Sequence, residues 1–222
     1  MKLAILFSGG KDSCMASFLA KKYDHDIACL VSLISKNKES YMFHTPSIKK
    51  TEAQAQAMGV SLLKQNTLGL KEEELKDLEK ILKKAKKYFE IEGVVTGAIK
   101  STYQASRIQK ICDKLNLECF NPLWQVNEFE YLQDLIKNDF EVIITGVFAY
   151  PFDESWLGKK IDKDFIEKIK ILNQKYQINP AGEGGELETF VLSCPLFNKK
   201  LELTDKKISG ENNSFRMEIK VK

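Results

Sequence analysis

The stretch that most limits how this chain can fold is Phe7-Ser8-Gly9-Gly10-Lys11-Asp12-Ser13. Ahead of it, Lys2–Phe7 is a short apolar run of the kind found in buried parallel strands. Behind it, Cys14–Lys22 spaces apolar residues as a helix does and ends in two lysines. The loop therefore joins a strand to a helix N-terminus, where unpaired backbone N–H groups and the helix dipole favour an anion. Paired glycines let the backbone come close to a ligand. Lys11 adds a full positive charge, Ser8 and Ser13 add hydroxyls, and Asp12 adds a carboxylate able to hold Mg²⁺. A plain glycine turn explains Gly9-Gly10 but not Lys and Asp side by side at a helix start. The spacing fits neither a Walker A loop nor a dinucleotide fingerprint.

The rest of the chain reads as alternating strands and helices. Strands are expected at 27–33, 60–65, 93–97 and 117–120, with helices at 46–58, around Leu75–Ala85, and from a Ser101/Gln104 capping box onward. This spacing predicts a five-stranded parallel α/β sheet with helices on both faces, its ligand beyond the carboxyl ends of the strands. The rhythm changes near Pro122-Leu123-Trp124, which predicts two domains, 1–125, carrying the anion-binding loop, and 126–222. The second is expected to be a smaller α+β domain. It carries helices at 127–136 and around Phe165–Tyr176, and strands at 142–147, 188–192, 201–206 and 215–221.

With 222 residues and a net charge of +3, a broad electrostatic grip on nucleic acid is not expected. Arg107 and Arg216 are the only arginines. No apolar run reaches the length of a membrane span and the start lacks a leader pattern, so the expected location is cytosolic. Cys14, Cys29, Cys112, Cys119 and Cys194 show neither metal-cluster spacing nor a Cys-x-x-Cys pair, which predicts small buried hydrophobes.

The loop Ser8-Gly9-Gly10-Lys11-Asp12-Ser13 resembles the pyrophosphate loop of the ATP pyrophosphatase superfamily, which cleaves ATP between its α and β phosphates. Four further strings, Tyr41–Pro46, Gly97–Gln104 with Arg107, Asp153–Gly158 and Asn179–Glu186, resemble segments of the diphthine–ammonia ligases, in that family's order and over essentially the whole chain. The resemblance implies an adenine nucleotide alpha hydrolase-like fold and use of ATP. It further implies adenylation of the diphthine carboxylate on translation elongation factor 2, and displacement of AMP by ammonia. Free ammonia is the expected nitrogen source, since no glutaminase triad can be assembled.

On this reading Ser8, Gly9, Gly10, Lys11, Asp12, Ser13 and Gly97 bind ATP, and Asp12 holds Mg²⁺. Tyr103, Gln104, Arg107, Trp156, Glu183 and Glu186 face the substrate. Lys11, Asp12 and Glu186 are the catalytic candidates. Gly97 either lets the backbone approach the α-phosphate or makes a tight turn. Arg107 either neutralises phosphate or carboxylate, or is a surface arginine. Glu183 and Glu186 suit a cation, either trimethylammonium with Trp156 or Tyr103 as aromatic partners, or ammonium whose proton they take. His44 is expected to pack or cap near the nucleotide rather than act as a catalyst. The competing readings are a tRNA-modifying enzyme that adenylates an RNA base, and a non-catalytic ATP-binding regulator.

Overall fold

The structure, a computed structural model, describes residues 1–35, 48–70 and 72–222. The first nine elements alternate: β1 (Lys2–Leu6), α1 (Lys11–Lys22), β2 (Asp26–Ser35), α2 (Ile48–Met58), β3 (Leu62–Thr67), α3 (Glu73–Phe89), β4 (Gly93–Val95), α4 (Thr102–Leu115) and β5 (Glu118–Phe120). The five strands form one parallel sheet in the order β3-β2-β1-β4-β5. The chain winds outward from β1 to β3, then returns to β4 beside β1 and winds the other way. The topological switch point therefore lies between β1 and β4, beyond their carboxyl ends.

Successive side chains of a strand point to opposite faces. Ala4, Cys29, Val31 and Val94 meet Leu78, Ile81, Leu82 and Ala85 of α3 and Ile108, Ile111 and Cys112 of α4 in one core. Leu3, Ile5 and Leu30, on the opposite face, are also fully buried. Right-handed crossovers put α1 and α2 on that face. Leu75 and Leu115 are partly buried against the core, and Glu74, in the first turn of α3, is 1% exposed.

The remaining elements are α5 (Glu128–Lys137), β6 (Glu141–Val147), a 3-10 turn at Glu154–Trp156, α6 (Lys163–Tyr176), β7 (Leu187–Ser193), β8 (Leu203–Glu211) and β9 (Ser214–Val221). Their strands form an antiparallel sheet, β7-β6-β9-β8. Helix α5 is capped by Asn127, whose Oδ1 accepts from the amides of Phe129 and Glu130, and α6 by Asp162, which accepts from Phe165 N. The penultimate strand runs to Glu211 rather than ending at Lys206, because its ladder with β9 extends from Leu203↔Val221 to Glu211↔Ser214.

Two compact units emerge, Met1–Ser8 with Asp12–Trp124, and Gly9–Lys11 with Gln125–Lys222. Among the described residues no helix is long and apolar enough to cross a membrane.

Candidate active site

The first loop begins where β1 ends. Phe7 N donates to Val31 O (2.8 Å), and the Phe7 carbonyl accepts from Ser32 Oγ (2.5 Å), which fixes the loop's entry. The loop then closes on itself. Ser8 N donates to Ser13 Oγ at 3.3 Å, and the two serine hydroxyls are also 3.3 Å apart. Gly9 takes φ +80°, a conformation that a side chain would strain. Helix α1 starts at Lys11, with Asp12 half-buried in its first turn.

Gly97, just past the end of β4, is pressed onto this helix start. A Cβ there would lie 2.8 Å from the Asp12 carbonyl carbon, 3.0 Å from Ser13 N and 3.1 Å from Asp12 Cβ. The glycine is thus required by contact with the loop, a third reason beside the two that sequence offered. Neighbouring polar residues hold the β4 exit in place. Thr96 N donates to Phe120 O (3.0 Å), Thr96 Oγ1 accepts from Ala98 N (3.2 Å) and is hydrogen-bonded to Asn121 Oδ1. Sequence reading missed Thr96 and Asn121; their signal was a polar residue directly after each of two adjacent parallel strands.

Gly9–Lys11 belong to the second unit. There the Gly9 carbonyl accepts from Val191 N (3.2 Å) and Lys11 N donates to Thr189 Oγ1 (3.1 Å). Lys11 is 3% exposed, and its Nζ stands 5.7 Å from the centroid of the Tyr131 ring. That distance is within cation–π range. Thr189 and Tyr131 are further residues that the sequence did not single out.

At the start of α4, Ser101 is the N-cap, with Oγ accepting from Gln104 N. Arg107 does not stand alone. Its Nε and Nη2 donate to Glu72 Oε1 at 2.8 and 2.6 Å, and its guanidinium stacks 3.6 Å from the centroid of the Tyr103 ring. The Tyr103 phenol also reaches Glu72 Oε1 (3.4 Å). Burial and the Glu72 carboxylate push that phenol's pKa up, with Arg107 opposing.

In the second unit Trp156 packs edge-on against Phe152 and Phe165, with Lys159 Nζ 4.6 Å from its centroid. Both aromatic rings considered for trimethylammonium thus already carry an intramolecular cation. The loop 179–186 is wound around two of its own side chains. Glu186 Oε1 accepts from Asn179 N (3.2 Å), and Asn179 Oδ1 accepts from Ala181 N (2.9 Å) and Glu183 N (3.3 Å). A Cβ on Gly184 would fall 2.8–2.9 Å from the Glu186 carboxylate, so the glycine makes room for it. Glu186 Oε2 is buried with no hydrogen-bond partner among the described residues. The second arginine, Arg216, lies on β9 with its guanidinium 4.8 Å from the Phe148 centroid and Nη2 3.9 Å from Glu188 Oε1.

A family model of the diphthamide synthase N-terminal domain matches residues 1–119, and one of the diphthamide synthase C-terminal domain matches residues 127–221. The chain belongs to the diphthamide synthase family, the diphthine–ammonia ligases. Similar curated proteins named diphthine–ammonia ligase include one from Bos taurus, 36% identical over 221 residues, and one from Homo sapiens, 35% identical over 221 residues. Each alignment covers 90% of this chain and 82% of the relative. One from Schizosaccharomyces pombe is 31% identical over 238 residues, covering all of this chain and 39% of the longer relative. Of the strings that resemble diphthine–ammonia ligases, Gly97–Gln104 runs from the β4 exit into α4. Asp153–Gly158 holds the 3-10 turn and Asn179–Glu186 the loop before β7. Tyr41–Pro46, with His44, lies outside the described residues.

Proposed function

We propose that this diphthine–ammonia ligase adenylates the carboxylate of diphthine on translation elongation factor 2 and then amidates it with ammonia. A carboxylate oxygen attacks the α-phosphorus of ATP, the bond from that phosphorus to the bridging oxygen breaks, and pyrophosphate leaves. Ammonia nitrogen adds to the acyl carbon, the bond to the AMP oxygen breaks, and a proton leaves the nitrogen. The observation that carries this reading is the loop Ser8–Ser13 at the N-terminus of α1, with the Gly97 backbone seated against it at the switch point of a parallel sheet.

Charge develops on the departing pyrophosphate, so the chemistry needs donors and positioning more than covalent help. The amides at Gly9 and Gly10, the Ser8 and Ser13 hydroxyls and Lys11 are assigned to that task. Mg²⁺ is commonly held by one or two carboxylates together with phosphate oxygens and water, and the half-buried Asp12 carboxylate is a donor of the required hardness. Bound there, the ion would offset phosphate charge. Glu183 and Glu186 are assigned to the cationic side, ammonium or trimethylammonium. Beside a triphosphate such carboxylates would repel by roughly 1 to 4 kcal/mol per close pair. The buried Oε2 of Glu186 supports a seat for a hydrogen-bond donor.

The test supplies ATP, ammonium chloride and diphthine-bearing elongation factor 2 to the wild type and to Glu186→Gln. The wild type should release AMP and pyrophosphate in step with amide formation. Glu186→Gln should lower amide formation about 10²-fold, as loss of an acid–base group does, with the dissociation constant for an ATP analogue nearly unchanged. ATP cleavage without amide formation in the wild type would overturn the function. Collapse of nucleotide affinity in Glu186→Gln, with bound ATP turning over normally, would move the loop to the nucleotide.

A further inference from the structure

We propose that Asn179 is the positioning residue of the 179–186 loop, holding Glu186 so that one of its two carboxylate oxygens is kept for the ligand. The proposal rests on the assignment of Glu186 to the cationic side of the reaction. Every polar group of Asn179 is engaged. Its N–H donates to Glu186 Oε1 (3.2 Å), and its carbonyl accepts from Gly182 N (3.0 Å). Its Oδ1 accepts from Ala181 N and Glu183 N, which builds the turn in the manner of an Asx motif. Its Nδ2 donates to Glu128 Oε1 at 3.3 Å, in the first turn of α5. The amide can stand only this way round. The flipped rotamer would set its NH₂ against two backbone N–H donors and its oxygen against a carboxylate.

One residue thereby ties the loop to a helix and fixes the reach of two carboxylates. With Glu186 Oε1 occupied by the Asn179 amide, the buried Oε2 is the oxygen left to accept a hydrogen bond. Asn rather than Asp is needed at 179 because the side chain must accept on one side and donate on the other. Asp keeps the turn acceptor but sets a second negative charge against Glu128.

The test compares the full-length wild type with Asn179→Asp, the double variant Asn179→Asp/Glu128→Gln, and Glu186→Gln. Each is titrated with ammonium chloride in amidation of diphthine-bearing elongation factor 2, with ATP-analogue binding and melting temperature measured alongside. Asn179→Asp should lower kcat/KM for ammonia about 10²-fold, the scale of an ångström-sized misplacement, while ATP affinity changes less than about twofold. The double variant restores a donor facing an acceptor, from Gln at 128 to Asp at 179, and should recover most of that loss. A purely structural role would lower the melting temperature and the folded fraction without altering the kinetic split. If Asn179→Asp does not fold, Asn179→Ser carries the test, since it keeps a turn acceptor and drops the bridge. It should lose ammonia kcat/KM and gain nothing from Glu128→Gln. Wild-type ammonia kinetics in the folded 179 variant, or equal loss in Asn179→Asp and the double variant, overturns the proposal. If Glu186→Gln is impaired at the same time, the assignment of Glu186 survives that failure. If Glu186→Gln amidates normally, that assignment fails first.

Discussion

Replacing Gly97 by Ala tests the seating of the β4 exit on the first loop. The added Cβ would be 2.8 Å from the Asp12 carbonyl carbon and 3.0 Å from Ser13 N, both backbone atoms that no side-chain rotation can move away. Ordinary contact begins near 3.4 Å, so the start of α1 or the β4 exit must give by about half an ångström. Overpacking of this kind costs about 1–3 kcal/mol. At about 2–4 °C per kcal/mol for a chain of this size, the melting temperature should fall by roughly 2–12 °C. The displaced atoms belong to the loop assigned to ATP, so turnover of the folded protein should fall by about 10²-fold. Gly93→Ala is the control. Its Cβ would meet Leu3 Cδ2 at 2.9 Å and Glu118 O at 3.0 Å at the opposite end of β4, away from the loop. Gly93→Ala should lose comparable stability and keep its turnover per folded molecule. If both variants melt alike and both retain kcat/KM for ATP, the loop's contact with Gly97 plays no part in the chemistry.

Asp12→Asn keeps the shape of the helix start and removes the charge, so turnover should be lost while melting stays within a degree or two. Normal Mg²⁺ dependence of turnover in that variant would remove Asp12 from the metal. Cys119 should be alkylated first by iodoacetamide in the folded protein. The hydrogen bond from the Cys112 thiol, with Asn121 Nδ2 at 3.6 Å, lowers its pKa, so its thiolate forms at lower pH than an ordinary thiol's. Burial pushes Cys29 up to about 12 and Cys194 to about 11, and the bond to Cys119 together with burial raises Cys112. Peptide mass spectrometry across a pH series that found Cys29 or Cys194 labelled ahead of Cys119 would contradict this.

The parallel sheet was legible because its signals are local. Short apolar runs, a capping box at Ser101 and a glycine pair before Lys11 each report on a few adjacent residues. The extent of β8 was not legible, since its side chains are nearly all exposed and its length is set by main-chain pairing with β9. The contact between Cys112 and Cys119 was hidden for a related reason. A helix end and the next strand bring together thiols seven residues apart, a spacing that matches no motif. In the candidate site, residue types and loops could be read, but not whom each side chain meets. Nothing in the order of residues says that Glu72 takes Arg107, that Lys159 lies over Trp156, or that Asn179 joins Glu186 to Glu128.

Arg107 is where those partners decide between two readings. Its side chain is 27% exposed and that of Glu72 is 55% exposed, so their ion pair is of the solvent-screened kind, worth about 0–1 kcal/mol. An incoming phosphate or carboxylate can therefore take the guanidinium from Glu72 at a penalty of about fivefold in affinity or less. The stack on Tyr103 need not be broken, because it uses the face of the guanidinium and leaves the donors at its edge. Glu72→Gln removes the competing charge and keeps an oxygen that accepts from Arg107. If Arg107 meets a substrate anion, Glu72→Gln should tighten that substrate by about two- to fivefold, and Arg107→Ala should weaken it. Separate titrations of ATP and of diphthine-bearing elongation factor 2 identify which anion it is. If neither KM moves in Glu72→Gln or in Arg107→Ala while both variants lose stability, Arg107 serves only to tie α4 to the start of α3.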